Sequence, residues 1–259
     1  MSDVLLSEQQ GSALVLTINR EAKRNALSGD VAAALAQAIE DANGRRNVRA
    51  VILRGAGAAA FSAGADLKER AAADAEGKWR LSRALLEINQ AILASPKIVF
   101  ASIRGYCLGG GLELALSCDF RVADAAALFG WPEVKLGAYP GAGAAVLLPR
   151  LIGPQAAKRF LLSSRNVDGS AALAMGLIDD LVGDDDPTSA CLAWAAELDQ
   201  VAPAAQGAIK ASLRSTPHLP LDEAFVVDGG FRQPLERTRD YLEGIRAHFE
   251  KRAPVFDGT

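Results

Sequence analysis

The segment from Ile98 to Gly143 constrains this chain more than any other. An apolar run, Ile98 to Ile103, is short and bounded by turn signals, as a buried strand would be. Arg104-Gly105-Tyr106-Cys107-Leu108 follows, then Gly109, Gly110 and Gly111, then Leu112-Glu113-Leu114-Ala115-Leu116. The glycines leave a turn without side chains, so another group can approach the backbone closely. The Leu/Ala/Glu stretch after them favours helix, which places the glycines at a helix N-terminus. Free N–H groups and the positive end of the helix dipole converge there. Such a spot suits an anion, or an oxygen that becomes one during a reaction.

Glu113 lies in that first turn among apolar residues. A second carboxylate, Glu133, follows in Phe129-Gly130-Trp131-Pro132-Glu133, and Pro140-Gly141-Ala142-Gly143 closes the segment with a turn. Two glutamates beside oriented N–H donors can move protons next to a carbonyl. The alternative is Glu113 as a dipole partner and Glu133 as a solvated loop acid. Sequence spacing alone does not bring the two together.

The remaining composition excludes several function classes. The net charge is −3 and the pI about 5.5, so no broad basic face for nucleic acid is expected. Cys107, Cys118 and Cys191 are odd in number and form no C-x-x-C, which points to reduced thiols in a cytoplasmic setting. His218 and His248 are the only histidines, so neither a His-based triad nor a metal site is expected. The N-terminus lacks the basic start and apolar core of a signal peptide. No apolar run is long enough to span a bilayer.

Along the chain, 4–9 and 13–18 read as a hairpin across Gln10-Gly11. Ser28 reads as the N-cap of a helix with Val31, Leu35, Ala38, Ile39 and Ala42 on one face. Residues 48–53 and 120–123 read as strands. Residues 78–93, 144–151, 154–162 and 170–175 read as helices. Gly55-Ala56-Gly57-Ala58-Ala59-Ala60 mimics a dinucleotide-binding turn, but Phe61 to Asp66 interrupts the helix that such a turn must open. Asp184-Asp185-Asp186-Pro187 separates mixed strand and helix from helix alone, with helical segments near 188–201, 203–215, 221–240 and 240–252. The domain reading is therefore an α/β core over 1–186 and a helical region over 187–259.

Four stretches of the chain resemble the crotonase superfamily, the enoyl-CoA hydratase/isomerase family. Phe61-Ser62-Ala63-Gly64-Ala65-Asp66-Leu67-Lys68 resembles its first oxyanion-loop motif, and Gly105 to Leu114 its second. Phe129 to Gly137 with Pro140 to Gly143 resembles the third, and Glu243 to Arg252 the C-terminal helix. The likeness runs in the right order over nearly the whole chain. It implies a crotonase-like spiral of ββα units with a C-terminal α-helical trimerisation region, giving a homotrimer or a dimer of trimers.

The resemblance further implies an oxyanion hole from the N–H groups of Ala65 and Gly110. Glu113 and Glu133 would hold one water, Glu113 acting as its base and Glu133 delivering the α-proton. Ala63 and Ala65, Asp66, Leu67 and Lys68 would line the coenzyme A arm, and Lys23, Arg24 and a neighbouring subunit's Lys251 are candidates for its phosphates. Coenzyme A would enter as part of the substrate, with no separate cofactor and no metal. Where the family commonly has Thr-Gln-Arg, this chain has Ala145, Val146 and Leu147, and Trp131 is a candidate wall of a short acyl pocket, with plain packing its alternative. Residues 65–70 and 111–116 look especially like methylglutaconyl-CoA hydratases. Some of those bind RNA through a lysine-rich helix, but the matching helix here, 29–43, has no lysine. The reading is an enoyl-CoA hydratase; the alternatives are a double-bond isomerase and a non-catalytic coenzyme A-binding protein.

Overall fold

The apolar runs of the sequence become the strands of one large sheet. In the computed structural model, which describes residues 3–259, β1 (Leu5–Gln10) and β2 (Ala13–Ile18) form the expected hairpin. Helix α1 (Gly29–Gly44) follows, and its N-cap Ser28 accepts a hydrogen bond from the Val31 N–H. Next come β3 (Ala50–Gly55), β4 (Ala60–Ser62), α2 (Leu67–Ala72) and α3 (Ala75–Ala94). The following turn is β5 (Ile98–Ile103), β6 (Tyr106–Leu108) and α4 (Gly110–Ser117). The third is β7 (Phe120–Ala123), β8 (Leu128–Gly130), a 3-10 turn over Pro132–Leu136, α5 (Ala144–Ile152) and α6 (Pro154–Ser163). Then come β9 (Val167–Asp168), α7 (Gly169–Ala174) and β10 (Asp180–Leu181).

Each turn donates one strand to each of two sheets. The larger runs β1-β2-β3-β5-β7-β10 and is parallel from β2 onward; the smaller runs β4-β6-β8-β9. The two sheets make the chain a spiral of ββα units. Both faces of the large sheet are covered, as parallel strands require. Val51 and Leu53 point into a core shared with α1 and α3, while Ala50 and Ile52 join Val15, Phe100 and Val122 on the other face. There α8 (Pro187–Glu197) supplies Cys191 and Ala195, and its Trp194 stands edge-on to Phe120 at 5.3 Å.

The C-terminal part is helical, as the sequence indicates, through α9 (Pro203–Ser215), α10 (Leu221–Leu235) and α11 (Arg239–Glu250). The helix expected over 221–240 stops at Leu235. Pro234 cannot donate to the helix ladder, and Thr238 caps a new helix by accepting from the Tyr241 N–H. The second sheet is absent from the sequence reading, because its central strands are only three residues long.

Candidate active site

The register of the small sheet assembles the site. Ser62 pairs with Cys107, and Cys107 with Phe129. Three residues beyond each pair, past the carboxyl ends of these parallel strands, lie Ala65, Gly110 and Pro132. Open parallel sheets bind ligands at that edge. A Cβ built on Gly110 would stand 3.4 Å from the Ala65 nitrogen. Among the described residues, neither the Ala65 nor the Gly110 N–H has a hydrogen-bond acceptor. Asp66 caps α2 by accepting from the Lys68 and Glu69 N–H groups, and it pairs with Arg20 at 2.7 Å. That inward commitment fixes the loop carrying Ala65 and lowers the Asp66 pKa against the opposing effect of burial.

Glu113 reaches the same edge from the first turn of α4 and is 2% exposed. Its Oε1 accepts from the N–H groups of Ala142 (2.8 Å) and Ala144 (3.0 Å). The Ala142 carbonyl in turn accepts from the Nδ2 of buried Asn89 on α3 at 2.8 Å. The Pro140–Gly143 turn is thus a clamp on the Glu113 carboxyl. Glu133 enters from the 3-10 turn; its Oε1 hangs over Gly109, and its buried Oε2 has no hydrogen-bond partner among the described residues.

Burial pushes the Glu113 pKa up to about 7; the two clamp N–H groups oppose that shift, and the Glu133 charge adds to it. Burial also raises the pKa of Glu133. The Glu133 charge beside Glu113 disfavours ionising both at once. The Glu113 carboxyl thus has two N–H donors, whereas the Glu133 Oε2 has none among the described residues.

A cavity of about 300 Å³ joins these groups. Ala63, Ala65, Leu67, Gly110, Glu113 and Glu133 all line it, together with Leu85, Leu136 and Tyr139. The other residues singled out in the sequence lie elsewhere. The Asp66 side chain is turned to Arg20. Lys23, Lys68 and Lys251 are exposed and outside this lining. Trp131 does not wall the cavity: it is fully buried, edge-on to Phe160 at 6.1 Å. Val146 is 55% exposed and also absent from the lining.

The model of the enoyl-CoA hydratase/isomerase family matches residues 8–259. The chain belongs to that family. It is 35% identical to the 2,3-dehydroadipyl-CoA hydratase of Escherichia coli, over 100% of both chains. It is 34% identical to the mitochondrial methylglutaconyl-CoA hydratase of Mus musculus, over 98% of this chain and 82% of that protein. A crystal structure of an enoyl-CoA hydratase from Bacillus anthracis superposes with a TM-score of 0.95 at 32% identity, covering 99% and 100% of the two chains. The crotonase-type α/β spiral implied by the motifs is therefore the fold of this family member.

Sequence reasoning missed two parts of this family member's site. The Ala142 and Ala144 amides appear in the sequence only as a turn, and nothing local shows that they face a residue some thirty positions earlier. Arg70 also lines the cavity. Its signal was available, because it lies three residues after Leu67 and so on the same face of α2.

Proposed function

We propose that this protein adds water across the 2,3 double bond of an enoyl-CoA thioester. The observation that carries the proposal is the convergence of Glu113 and Glu133 on one cavity with the acceptor-free N–H groups of Ala65 and Gly110. The two N–H groups bind the thioester carbonyl oxygen and stabilise the enolate; one such donor is worth about 3 kcal/mol of barrier. Ionised Glu113 takes a proton from water as the water oxygen bonds to Cβ. Protonated Glu133 gives its proton to Cα. The proton then passes from Glu113 to Glu133, restoring the starting state. No separate cofactor takes part, since coenzyme A arrives with the substrate.

The test is loss of the conjugated-enoyl absorbance of trans-2-enoyl-CoA thioesters in oxygen-labelled heavy water. The expected product carries the label at Cβ oxygen and one deuteron at Cα. Conversion of a 3-enoyl-CoA without oxygen label would make the protein an isomerase. Coenzyme A binding with no thioester turned over would make it a binding protein.

The 187–259 segment is proposed to mediate self-assembly. Leu213, Val226 and Phe249 are 69%, 78% and 80% exposed in the single chain, an unusual display for large apolar side chains. Sedimentation is expected to give a trimer or a dimer of trimers. A single-chain mass at micromolar concentration would refute the assignment.

A further inference from the structure

The residue the hydration scheme leaves without a task is Arg70. It is the cation of the cavity lining, facing the same space as both glutamates. One guanidinium nitrogen donates to the Ser82 Oγ, and Ser82 is held in turn by donating to the Lys78 carbonyl. The Arg70 Nε is buried and has no partner among the described residues. No carboxylate there lies within ion-pair distance of the guanidinium, although its field lowers the pKa values of Glu113 and Glu133. The adjacent acid, Glu69, is spent on the Gly29 N–H. Around Arg70 the lining is apolar: Leu67, Leu85, Leu136 and Ala138.

A guanidinium oriented by one hydroxyl, lining the cavity and paired with no carboxylate among the described residues, is a site for a planar anion. Its fork geometry matches a carboxylate, and a charge-assisted pair is strong in an apolar wall. The cavity, about 300 Å³, spans the Ala65 and Gly110 turns, both glutamates and Arg70.

We propose that Arg70, steadied by Ser82, is a specificity-determining residue that binds a carboxylate at the far end of a short acyl chain, so that the preferred substrates are enoyl-CoA thioesters of dicarboxylic acids. This rests on the reading of the cavity as the acyl site, but its test does not require turnover. The other anions on such a substrate are the phosphates of coenzyme A, and the experiment separates the two sources.

The experiment measures, by calorimetry, the dissociation constants of saturated pentanedioyl-CoA, pentanoyl-CoA and free coenzyme A. The wild-type protein is expected to bind the carboxylate-ended thioester at least about tenfold more tightly than the methyl-ended one, the range of a charge-assisted pair. In Arg70→Met that ratio is expected to fall to near one, while Arg70→Lys keeps part of it. Equal binding of the two thioesters by the wild type, or a ratio unchanged in Arg70→Met, overturns the proposal. So does equal weakening of all three ligands, which would put Arg70 on the coenzyme A phosphates. If the ratio behaves as expected while no enoyl-CoA is hydrated, the hydratase reading fails and the carboxylate subsite stands.

Discussion

Replacing Glu113 with glutamine is expected to slow enoyl-CoA hydration about a thousandfold and, at pH 8, to make the protein more stable. The rate follows from chemistry: an amide cannot take the proton of water. The stability follows from burial. Folding raises the Glu113 pKa from 4.5 to about 7, so the fold favours the protonated acid. The contribution of that preference is complete below pH 4.5 and is lost as pH rises through 7. Above that, the ionised carboxylate costs the folded state about 3 kcal/mol relative to the unfolded chain. Glutamine carries no such cost, and its Oε1 can still accept from the Ala142 and Ala144 N–H groups. The excess stability of Glu113→Gln should therefore be near its maximum at pH 8 and close to zero at pH 4, read as urea midpoints at each pH. A variant equally or less stable than the wild type at pH 8 would mean that Glu113 is not a strained buried carboxylate. A variant that still hydrates at the wild-type rate would remove Glu113 from the chemistry.

The same pair shapes the rate profile. Glu113 must be ionised to act as the base, so kcat/KM for the free enzyme should rise with pH as Glu113 loses its proton near pH 7. Burying a carboxyl that must ionise lowers stability at the site, a recurrent trade in active sites.

How far this site could be read in the sequence depends on which residues carried a local signal. Strands β2, β3 and β5 were legible because each is largely a run of apolar residues buried on both faces, and β7 because Phe120, Val122 and Ala123 flank its one polar residue, Arg121. The helices with a capping residue, such as α1 behind Ser28, were legible too. Strands β4, β6 and β8 were not, since three residues cannot show a period, and their pairing is decided by the large sheet that stacks the turns. Everything that converges on the cavity depends on those short strands. Glu133 meets Glu113 because Leu108 pairs with Gly130, not because twenty residues separate the acids. Trp131 is adjacent to Glu133 in sequence, yet its ring points into the core. Both acids and the glycine-turn N–H groups carried a local signal, and the family resemblance added the Ala65 N–H and the roles; neither pointed to Arg70, whose surroundings only the folded chain displays.

Gly109 offers the sharpest separation of rate from stability. The residue has φ +50°, and a Cβ built on it would fall 2.2 Å from the Glu133 Oε1. That oxygen ends a flexible side chain, so the chain can yield, but only by moving the carboxyl away from the cavity. Gly109→Ala is therefore expected to fold, losing about 1–3 kcal/mol because φ +50° with ψ −124° is a backbone conformation that side-chain-bearing residues rarely adopt. Its kcat should drop about a hundredfold, the scale of an ångström-sized misplacement of a reacting group. Gly111, two residues on, presents the opposite case. A Cβ there would lie 2.5 Å from the Ser62 carbonyl oxygen and 2.7 Å from the Ser62 Cβ. Neither can move without shifting β4, so Gly111→Ala is expected to lower the unfolding free energy by about 3 kcal/mol. Urea unfolding and hydration kinetics on the two variants check both expectations. If Gly109→Ala kept full activity, the Glu133 carboxyl would have no required position over the glycine turn, and its role as the acid that protonates Cα would fall with it.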